Sequence, residues 1–167
     1  MMSIVASGRK LVTESFVMAS AVGRLRVVID NGRVTQLDYD TRQAPTHKTL
    51  SAEARRIKQQ IESYLRKPQH RFDIPLELHG TEFQQRVWRA LQKIPLGQTR
   101  TYGQLADMLN SSARAVGNAC RQNPVPLIVP CHRVVAKNGI GGFSGKTRGA
   151  PIARKRWLLS HEGATHV

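Results

Sequence analysis

The sequence predicts an α/β protein of the α+β kind, with a small antiparallel sheet and one helix first and a mostly helical unit after them. Residues 15–40 alternate between apolar and polar side chains as strands do, and Asn31-Gly32 separates two such runs with a two-residue hairpin signal. Farther along the chain the apolar residues recur at helical spacing. We therefore divide the chain into a sheet-and-helix unit, residues 1–78, and a second unit, residues 79–167.

The first unit contains one predicted helix. Ser51 can cap its start, and its apolar residues fall on one face, at Ile57, Ile61, Tyr64 and Leu65. The segment that follows, residues 66–80, is predicted to be extended because two prolines interrupt it.

The second unit begins with a helix. Thr81 and Gln84 have the spacing of a capping box at its start. Its predicted buried stripe consists of Phe83, Val87, Leu91 and Ile94.

Two short helices follow, joined by a tight turn. The first is predicted to direct Leu105, Met108 and Leu109 inward, and the second to bury Ala113, Val116 and Cys120. Such a pair is typical of a helix-turn-helix, and a hairpin predicted to turn at Asn138-Gly139 would be its wing. Pro151 stands where a last helix begins, and Gly163 where it ends.

The charge of the chain is strongly one-sided. Its 26 lysines and arginines against 11 acidic residues give a net charge of +15 and an isoelectric point near 11.1. Because the basic residues run along the whole chain, we expect a polyanionic partner, and nucleic acid is the commonest one. An anionic lipid surface and a basic protein without such a partner are the alternatives. No apolar run approaches the roughly 18 residues of a membrane span.

Two further features concern the compartment and metals. Arg9, Lys10 and Glu14 stand where a signal peptide would keep its apolar stretch, so we expect a cytosolic protein, associated with the nucleoid in a prokaryote. The two cysteines, eleven residues apart, make neither a disulfide framework nor a zinc motif. We therefore expect no metal and no cofactor.

Cys131 stands out in the segment PVPLIVPCHRVV, residues 124–135, directly before His132 and Arg133. A cysteine attacks as the thiolate, and basic or cationic neighbours lower its pKa towards that form. Adjacent side chains of a strand point to opposite faces, so His132 could reach the Cys131 sulfur only across a turn or through a water. Cys120, by contrast, lies on an apolar helix face and is predicted to be a core residue.

The run from Asn-Pro-Val-Pro to Pro-Cys-His-Arg-Val, residues 123–134, resembles the active-site signature of the O6-alkylguanine-DNA alkyltransferases. Other matches stand in family order: FQQRVW at 83–88, IPLGQTRTYGQLA at 94–106, ARAVG at 113–117 and WLLSHEG at 157–163. The N-terminal half is similar more loosely, in its size and its order of strands and helix. The resemblance implies a ribonuclease H-like N-terminal domain and a winged helix-turn-helix domain that carries the active site.

The resemblance also implies a reaction. Cys131 would accept the alkyl group from O6 of guanine in duplex DNA, irreversibly and once per molecule, after the base has turned out of the helix. His132, through a water, would take the thiol proton, and Glu162 would orient His132. Tyr102 would donate to guanine N3, and Arg114 would enter the base stack in place of the flipped nucleotide.

The remaining implied residues shape the pocket. Asn123 would hold the turn before the acceptor, Ser144 would offer its backbone N–H to O6, and the carbonyl of Val134, with that of the acceptor, would read the guanine amino group. Arg121 and Phe143 are further predicted contacts to DNA or base. Phe143 stands where many relatives have tyrosine, the stretch from the acceptor to Phe143 is one residue shorter, and KTRGAP at 146–151 is longer.

Two other classes compete with this interpretation. A winged-helix DNA-binding or damage-sensing protein without transfer would have the acceptor cysteine replaced, whereas Cys131 is present. A cysteine hydrolase using a Cys-His-Glu set would turn over and would leave the charge of +15 unexplained. We therefore expect duplex DNA carrying O6-alkylguanine as the partner of a monomer, with cooperative binding along DNA left open.

Overall fold

The computed structural model describes residues 11–164, which form five α-helices, a three-stranded sheet and a two-stranded sheet. This confirms the predicted mixture of a small antiparallel sheet with helices. The prediction about a signal peptide falls in part on residues 1–10, which lie outside the described residues. Within residues 11–164, no helix has the length and apolar character needed to cross a membrane.

The N-terminal half is an antiparallel sheet of neighbouring strands. They are β1 (Thr13–Ser20), β2 (Gly23–Asp30) and β3 (Arg33–Asp38), in the order β1-β2-β3. The last residue of β2 pairs with the first of β3, so Asn31 and Gly32 alone make the turn, with φ of 49° and 78°. Two central residues with positive φ are the requirement of a type I′ turn, so the hairpin prediction is confirmed.

The first helix, α1 (Ala52–Arg66), is fixed to this sheet at its start. The Ser51 hydroxyl accepts a hydrogen bond from the N–H of Ala54, as the predicted cap requires. Glu14 of β1 in turn accepts from the N–H and the hydroxyl of Ser51, at 2.8 and 2.6 Å. The helix then buries Ile57, Ile61 and Tyr64 on the predicted face.

The second half contains four helices and two short strands. They are α2 (Glu82–Gln92), β4 (Arg100–Thr101), α3 (Tyr102–Met108), α4 (Ala113–Arg121), β5 (Val134–Val135) and α5 (Ala150–His161). A 3₁₀ turn, Cys131–Arg133, precedes β5, which pairs in parallel with β4. The capping box of Thr81 and Gln84 is present, and Thr101 and Gln104 form a second one that makes Tyr102 the first residue of α3.

Three predictions about this half were wrong. Met108 is 68% exposed, because the buried stripe of the short α3 runs through Leu105 and Ala106 and leaves Met108 to one side. Ala113, in the first turn of α4, is exposed as well. The predicted turn at Asn138-Gly139 lies one residue earlier, at residues 137–138, because Ala136 forms a single antiparallel bridge with Gly139.

The apolar side chains of the two halves form one continuous core cluster. Polar bonds cross between the halves too: the N–H of Leu37 donates to the carbonyl of Pro124 at 2.9 Å, and Arg154 Nε donates to the carbonyl of Val22 at 2.7 Å. The segment that leads to Cys131 is therefore bonded to the N-terminal sheet at Pro124, and the last helix is bonded to it at Val22. The boundary between residues 78 and 79, the ribonuclease H-like fold and the winged helix-turn-helix remain predictions.

Candidate active site

The 3₁₀ turn that carries Cys131 follows a loop closed by one side chain. Asn123 donates from Nδ2 to the carbonyl of Val129 at 2.8 Å and accepts at Oδ1 from the N–H of Val125 at 3.0 Å. A 3₁₀ helix has three residues per turn, so consecutive side chains point about 120° apart. Cys131 and His132 therefore face different surroundings, without the strict opposition of a strand.

Cys131 lies in the wall of a cavity of about 240 Å³ and is only 7% exposed. The cavity is lined by α3, α4, the 3₁₀ turn and residues 142–147. Five of the predicted site residues line it: Tyr102, Arg121, Cys131, Phe143 and Ser144. Cys120, predicted to be a core residue, also lines this cavity and is only half-buried. The reason is that the face of α4 that carries Cys120 borders the cavity.

Behind Cys131, His132 and Glu162 form a pair that solvent does not reach. His132 Nε2 lies 2.9 Å from Glu162 Oε1, and both side chains have 0% exposure. An ionised carboxylate can only accept, so His132 carries its proton on Nε2 and donates it to Glu162. The other ring nitrogen, Nδ1, is buried and has no hydrogen-bond partner among the described residues. Its lone pair is free to accept a proton.

Glu162 is held by more donors than the prediction included. Besides His132, the Tyr64 hydroxyl donates to Oε1 at 2.6 Å, and Arg133 donates from Nη2 to Oε1 and from Nε to Oε2, each at 2.9 Å. Burial alone would raise the pKa of Glu162, but the hydrogen bonds and charges of His132 and Arg133 hold that pKa well below its usual range. Glu162 is therefore a carboxylate.

The histidine is neutral at rest. Burial lowers the pKa of His132, and the charges of Arg133 and Lys155 lower it further, while the hydrogen bond and charge of Glu162 raise it. The balance is a lowered pKa, because the loss of hydration on burial outweighs the support that Glu162 gives to the charged ring. A neutral imidazole with a free Nδ1 is suited to act as a general base.

The thiol differs from the expectation drawn from its neighbours. Burial raises the pKa of Cys131, although the hydrogen bond from Asn123 and the charge of Lys155 lower it in part. Cationic and basic neighbours were expected to lower this pKa, and the charge of Lys155 does so, but the loss of hydration on burial dominates, so Cys131 is a protonated thiol at rest. A nucleophilic role for this sulfur would therefore require a base that takes its proton.

Lys155 of α5 is a buried cation that the sequence analysis missed. It is 0% exposed, and its Nζ donates to the carbonyls of Val134 at 2.6 Å and Gly142 at 2.8 Å. Burial lowers the pKa of Lys155 to about 8. The carbonyl of Val134, predicted to read the guanine amino group, thus keeps one lone pair for a ligand. The spacing of Ile152, Lys155 and Leu159 on one helix face could have indicated the burial.

Tyr102 stands against the glycine-rich segment after β5. Its ring packs beside Gly141, whose φ is 73°, and a Cβ at that position would come within 3.1 Å of the ring. The Tyr102 hydroxyl donates to the carbonyl of Gly142 at 3.3 Å. Burial raises the pKa of Tyr102, so the phenol keeps its proton. To donate to a base, it would have to leave the carbonyl of Gly142.

The outer edge of the cavity is a tight turn. Phe143 and Lys146 exchange two backbone hydrogen bonds, of 2.8 and 2.9 Å, around Ser144 and Gly145, whose φ are 51° and 74°. The Ser144 N–H takes no part in these two bonds. Arg121 lies against Gly145, where an added Cβ would come within 2.7 Å of its Nε. Arg114 is exposed in the first turn of α4, outside the cavity wall.

The structure thus brings Cys131, Tyr102, Phe143, Ser144 and Arg121 to one cavity and places His132, Glu162 and Asn123 behind it. The roles assigned to these residues remain predictions. Within residues 11–164, no group of three or more His, Cys, Asp or Glu side chains is placed to hold a metal ion.

Sequence comparisons identify similar proteins. The family model of the 6-O-methylguanine DNA methyltransferase DNA-binding domain matches residues 82–164. A methylated-DNA--protein-cysteine methyltransferase of Mycobacterium tuberculosis is 47% identical over 106 residues, which are 62% of this chain and 61% of that relative. One of Methanosarcina acetivorans is 44% identical over 112 residues, 66% of this chain and 69% of the relative. The chain thus aligns with about three-fifths of the length of the mycobacterial relative.

Solved structures extend the similarity to the N-terminal half. The crystal structure of Mycobacterium tuberculosis O6-methylguanine methyltransferase matches with a TM-score of 0.75 at 38% identity, over 91% of this chain and 93% of that one. The structure of Mycobacterium tuberculosis OGT in complex with DNA matches with a TM-score of 0.73 at 38% identity, over 89% and 92%.

Proposed function

The chain belongs to the 6-O-methylguanine DNA methyltransferase family, and on this premise we propose that it repairs O6-alkylguanine in duplex DNA by transferring the alkyl group to Cys131. The sulfur forms a bond to the alkyl carbon while the bond from that carbon to guanine O6 breaks. The product is a thioether, which neither water nor a neighbouring base cleaves, so each molecule acts once. The observation that carries the proposal is a buried thiol in a cavity wall, backed by a neutral histidine with a free ring nitrogen.

The proton of the thiol has a route away from the sulfur. His132 Nδ1, through a water, takes it as the sulfur attacks, and ionised Glu162 stabilises the imidazolium that forms. The leaving guanine gains electron density, which Tyr102 relieves by donating to N3 once its hydroxyl leaves the carbonyl of Gly142. The Ser144 N–H, outside its turn's own bonds, donates towards O6.

The burial of the acceptor supports base flipping. A guanine stacked in a duplex cannot reach a sulfur that is 7% exposed in the wall of a cavity, so the base must turn out of the helix and enter that cavity. A protein that scans DNA for damaged guanines must bind the phosphate backbone without regard to sequence. The net charge of +15 supports such binding. A monomer bound to duplex DNA in the cytosol is part of the same proposal.

Arg114→Ala is expected to weaken repair in duplex DNA more than in single-stranded DNA. Arg114 is exposed at the start of α4, where a long cationic side chain can fill the gap that the flipped base leaves. Because flipping costs a few kcal/mol, the transfer rate should fall at least about tenfold in duplex DNA and less than about threefold in single strands. Transfer rates on the two substrates check this, with Arg55→Ala on the exposed face of α1 as the control.

Equal losses in single-stranded and duplex DNA would show that Arg114 is an ordinary phosphate contact and would contradict the gap-filling role. A loss of the same size in Arg55→Ala would also contradict it, because that residue lies on the N-terminal half.

The function itself is tested by counting lesions removed per protein molecule with O6-methylguanine duplex in excess. The proposal predicts one lesion per molecule and then no further loss. Continued removal would indicate turnover, as in a cysteine hydrolase. Binding without removal would favour a damage-sensing protein.

A further inference from the structure

We propose that Tyr64, a residue of α1 in the N-terminal half, is a positioning residue for the alkyl transfer, because its hydroxyl holds Glu162 and limits how strongly Glu162 supports His132. The inference rests on the proposed function and adds a residue to its proton route. It also gives the N-terminal half a part in the chemistry, since Tyr64 and Glu162 are 98 residues apart in the chain.

The contact is short and enclosed. The Tyr64 hydroxyl lies 2.6 Å from Glu162 Oε1, while His132 and Arg133 lie 2.9 Å from the same oxygen. Tyr64 is 2% exposed, and its ring is fixed by Phe72, 5.1 Å away between centroids, and by the edge of His161 at 5.6 Å. Burial raises the pKa of Tyr64, so the hydroxyl keeps its proton and can only donate this bond to the carboxylate.

The shared oxygen gives the hydroxyl a chemical effect beyond packing. Oε1 is the atom that accepts from His132 and would face the positive imidazolium during transfer. Every other donor to Oε1 withdraws negative charge from it and reduces the support that it gives to a charged His132. Tyr64 therefore holds the Glu162 carboxylate in the position from which it accepts the hydrogen bond of His132. At the same time it limits the negative charge on Oε1, so the imidazole stays weakly basic.

The groups around His132 determine the pH dependence. Glu162 raises the pKa of His132, whereas Arg133 from the same 3₁₀ turn and Lys155 from α5 lower it. Cys131 on the other side is neutral at rest, and Tyr64 from α1 is a neutral donor. Removal of the Tyr64 hydroxyl returns charge to Oε1, so His132 becomes easier to protonate and is lost as a base at a higher pH.

Tyr64→Phe in the full chain tests the proposal, because it removes the hydroxyl and retains the ring. Because Glu162 loses the donor that fixes its position against His132, we expect the rate constant of methyl transfer at neutral pH to fall about tenfold, the scale of one hydrogen bond to a charged group. We also expect a shift in the acid limb of the pH profile, the range in which the transfer rate falls as His132 becomes protonated. It should move to higher pH by roughly half a unit or more. The same profile is measured for alkylation of Cys131 by iodoacetamide, with peptide mapping to separate Cys131 from Cys120.

Phe72→Leu is the matched control. It loosens the packing on the same ring while leaving the Tyr64 hydroxyl bonded to Glu162, so thermal stability should fall and the acid limb should stay in place. A purely structural role for Tyr64 predicts that the two variants behave alike.

The proposal is overturned by a Tyr64→Phe protein with the wild-type rate and pH profile, and equally by a slower protein whose acid limb has not moved. Failure of the proposed function gives a different result, in which the wild-type protein transfers no methyl group from DNA. In that case the iodoacetamide profile still shows whether Tyr64 acts on His132.

Discussion

Cys131→Ala is expected to abolish alkyl transfer and to leave binding to O6-methylguanine duplex within about threefold of wild type. The substitution removes the acceptor sulfur from the cavity wall, whereas the grip on DNA comes from basic residues spread along the chain. Transfer is measured with a labelled methyl group on the DNA, and binding by electrophoretic mobility shift at one fixed salt concentration. Salt must be matched because phosphate contacts make affinity depend steeply on it.

Cys120→Ala is the control for this result, since Cys120 lines the same cavity. Burial raises the pKa of Cys120. Within residues 11–164, no histidine is placed beside Cys120 as His132 is placed next to Cys131. Transfer should therefore remain within about threefold of wild type, the scale of a small packing change. If Cys131→Ala still transferred the alkyl group, or if only Cys120→Ala lost transfer, Cys131 would not be the acceptor.

Glu162→Gln is expected to destabilise the protein by about 3 kcal/mol and to slow transfer at least about a hundredfold. Loss of the carboxylate leaves Arg133, whose side chain is 14% exposed, without its counter-charge, and breaking such a buried pair is costly. The imidazolium of His132 also loses the anion that would stabilise it during transfer. Urea denaturation measures the first effect, and single-turnover transfer measures the second.

The same variant changes the response to acid. The pKa of Glu162 is lowered in the folded protein, so its ionisation contributes stability that is present above the pKa of an unfolded glutamate, about 4.3. That stability is lost as the pH falls from there towards the lower folded pKa. Wild type should therefore lose stability over this window more steeply than Glu162→Gln.

Glu62→Gln provides the comparison. Glu62 on α1 forms only an exposed pair with Lys58, with 4.0 Å between the charged atoms, so its loss should change stability by less than about 0.5 kcal/mol. Equal effects of the two substitutions, or parallel acid profiles for wild type and Glu162→Gln, would contradict a buried, ionised Glu162.

Local rules predicted much of the fold. The turn at Asn31-Gly32 and the caps at Ser51 and Thr81 depend on residues within three or four positions, and the structure contains each of them. The position of Met108 was missed because α3 is only seven residues long, too short for its spacing to define the buried face.

The motif around Cys131 could be found from the sequence, but the side chains that surround it in the fold could not be predicted. The partner of Tyr64 lies 98 residues away, and no spacing rule connects a helix in one half to the last helix of the other. Lys155 occupies a buried position that lysine rarely fills, and it does so because two carbonyls accept from its Nζ. Burial, which raises the pKa of Cys131, exists only once the chain has folded.

The most direct test is the mass of the intact protein, and then of its peptides, after incubation with excess O6-methylguanine duplex. We expect one added methyl group per molecule, located on Cys131 and absent from Cys120, with an equal number of lesions lost from the DNA. Lesions lost from DNA while the protein mass stays unchanged would contradict this expectation, because the alkyl group would then have left on another acceptor.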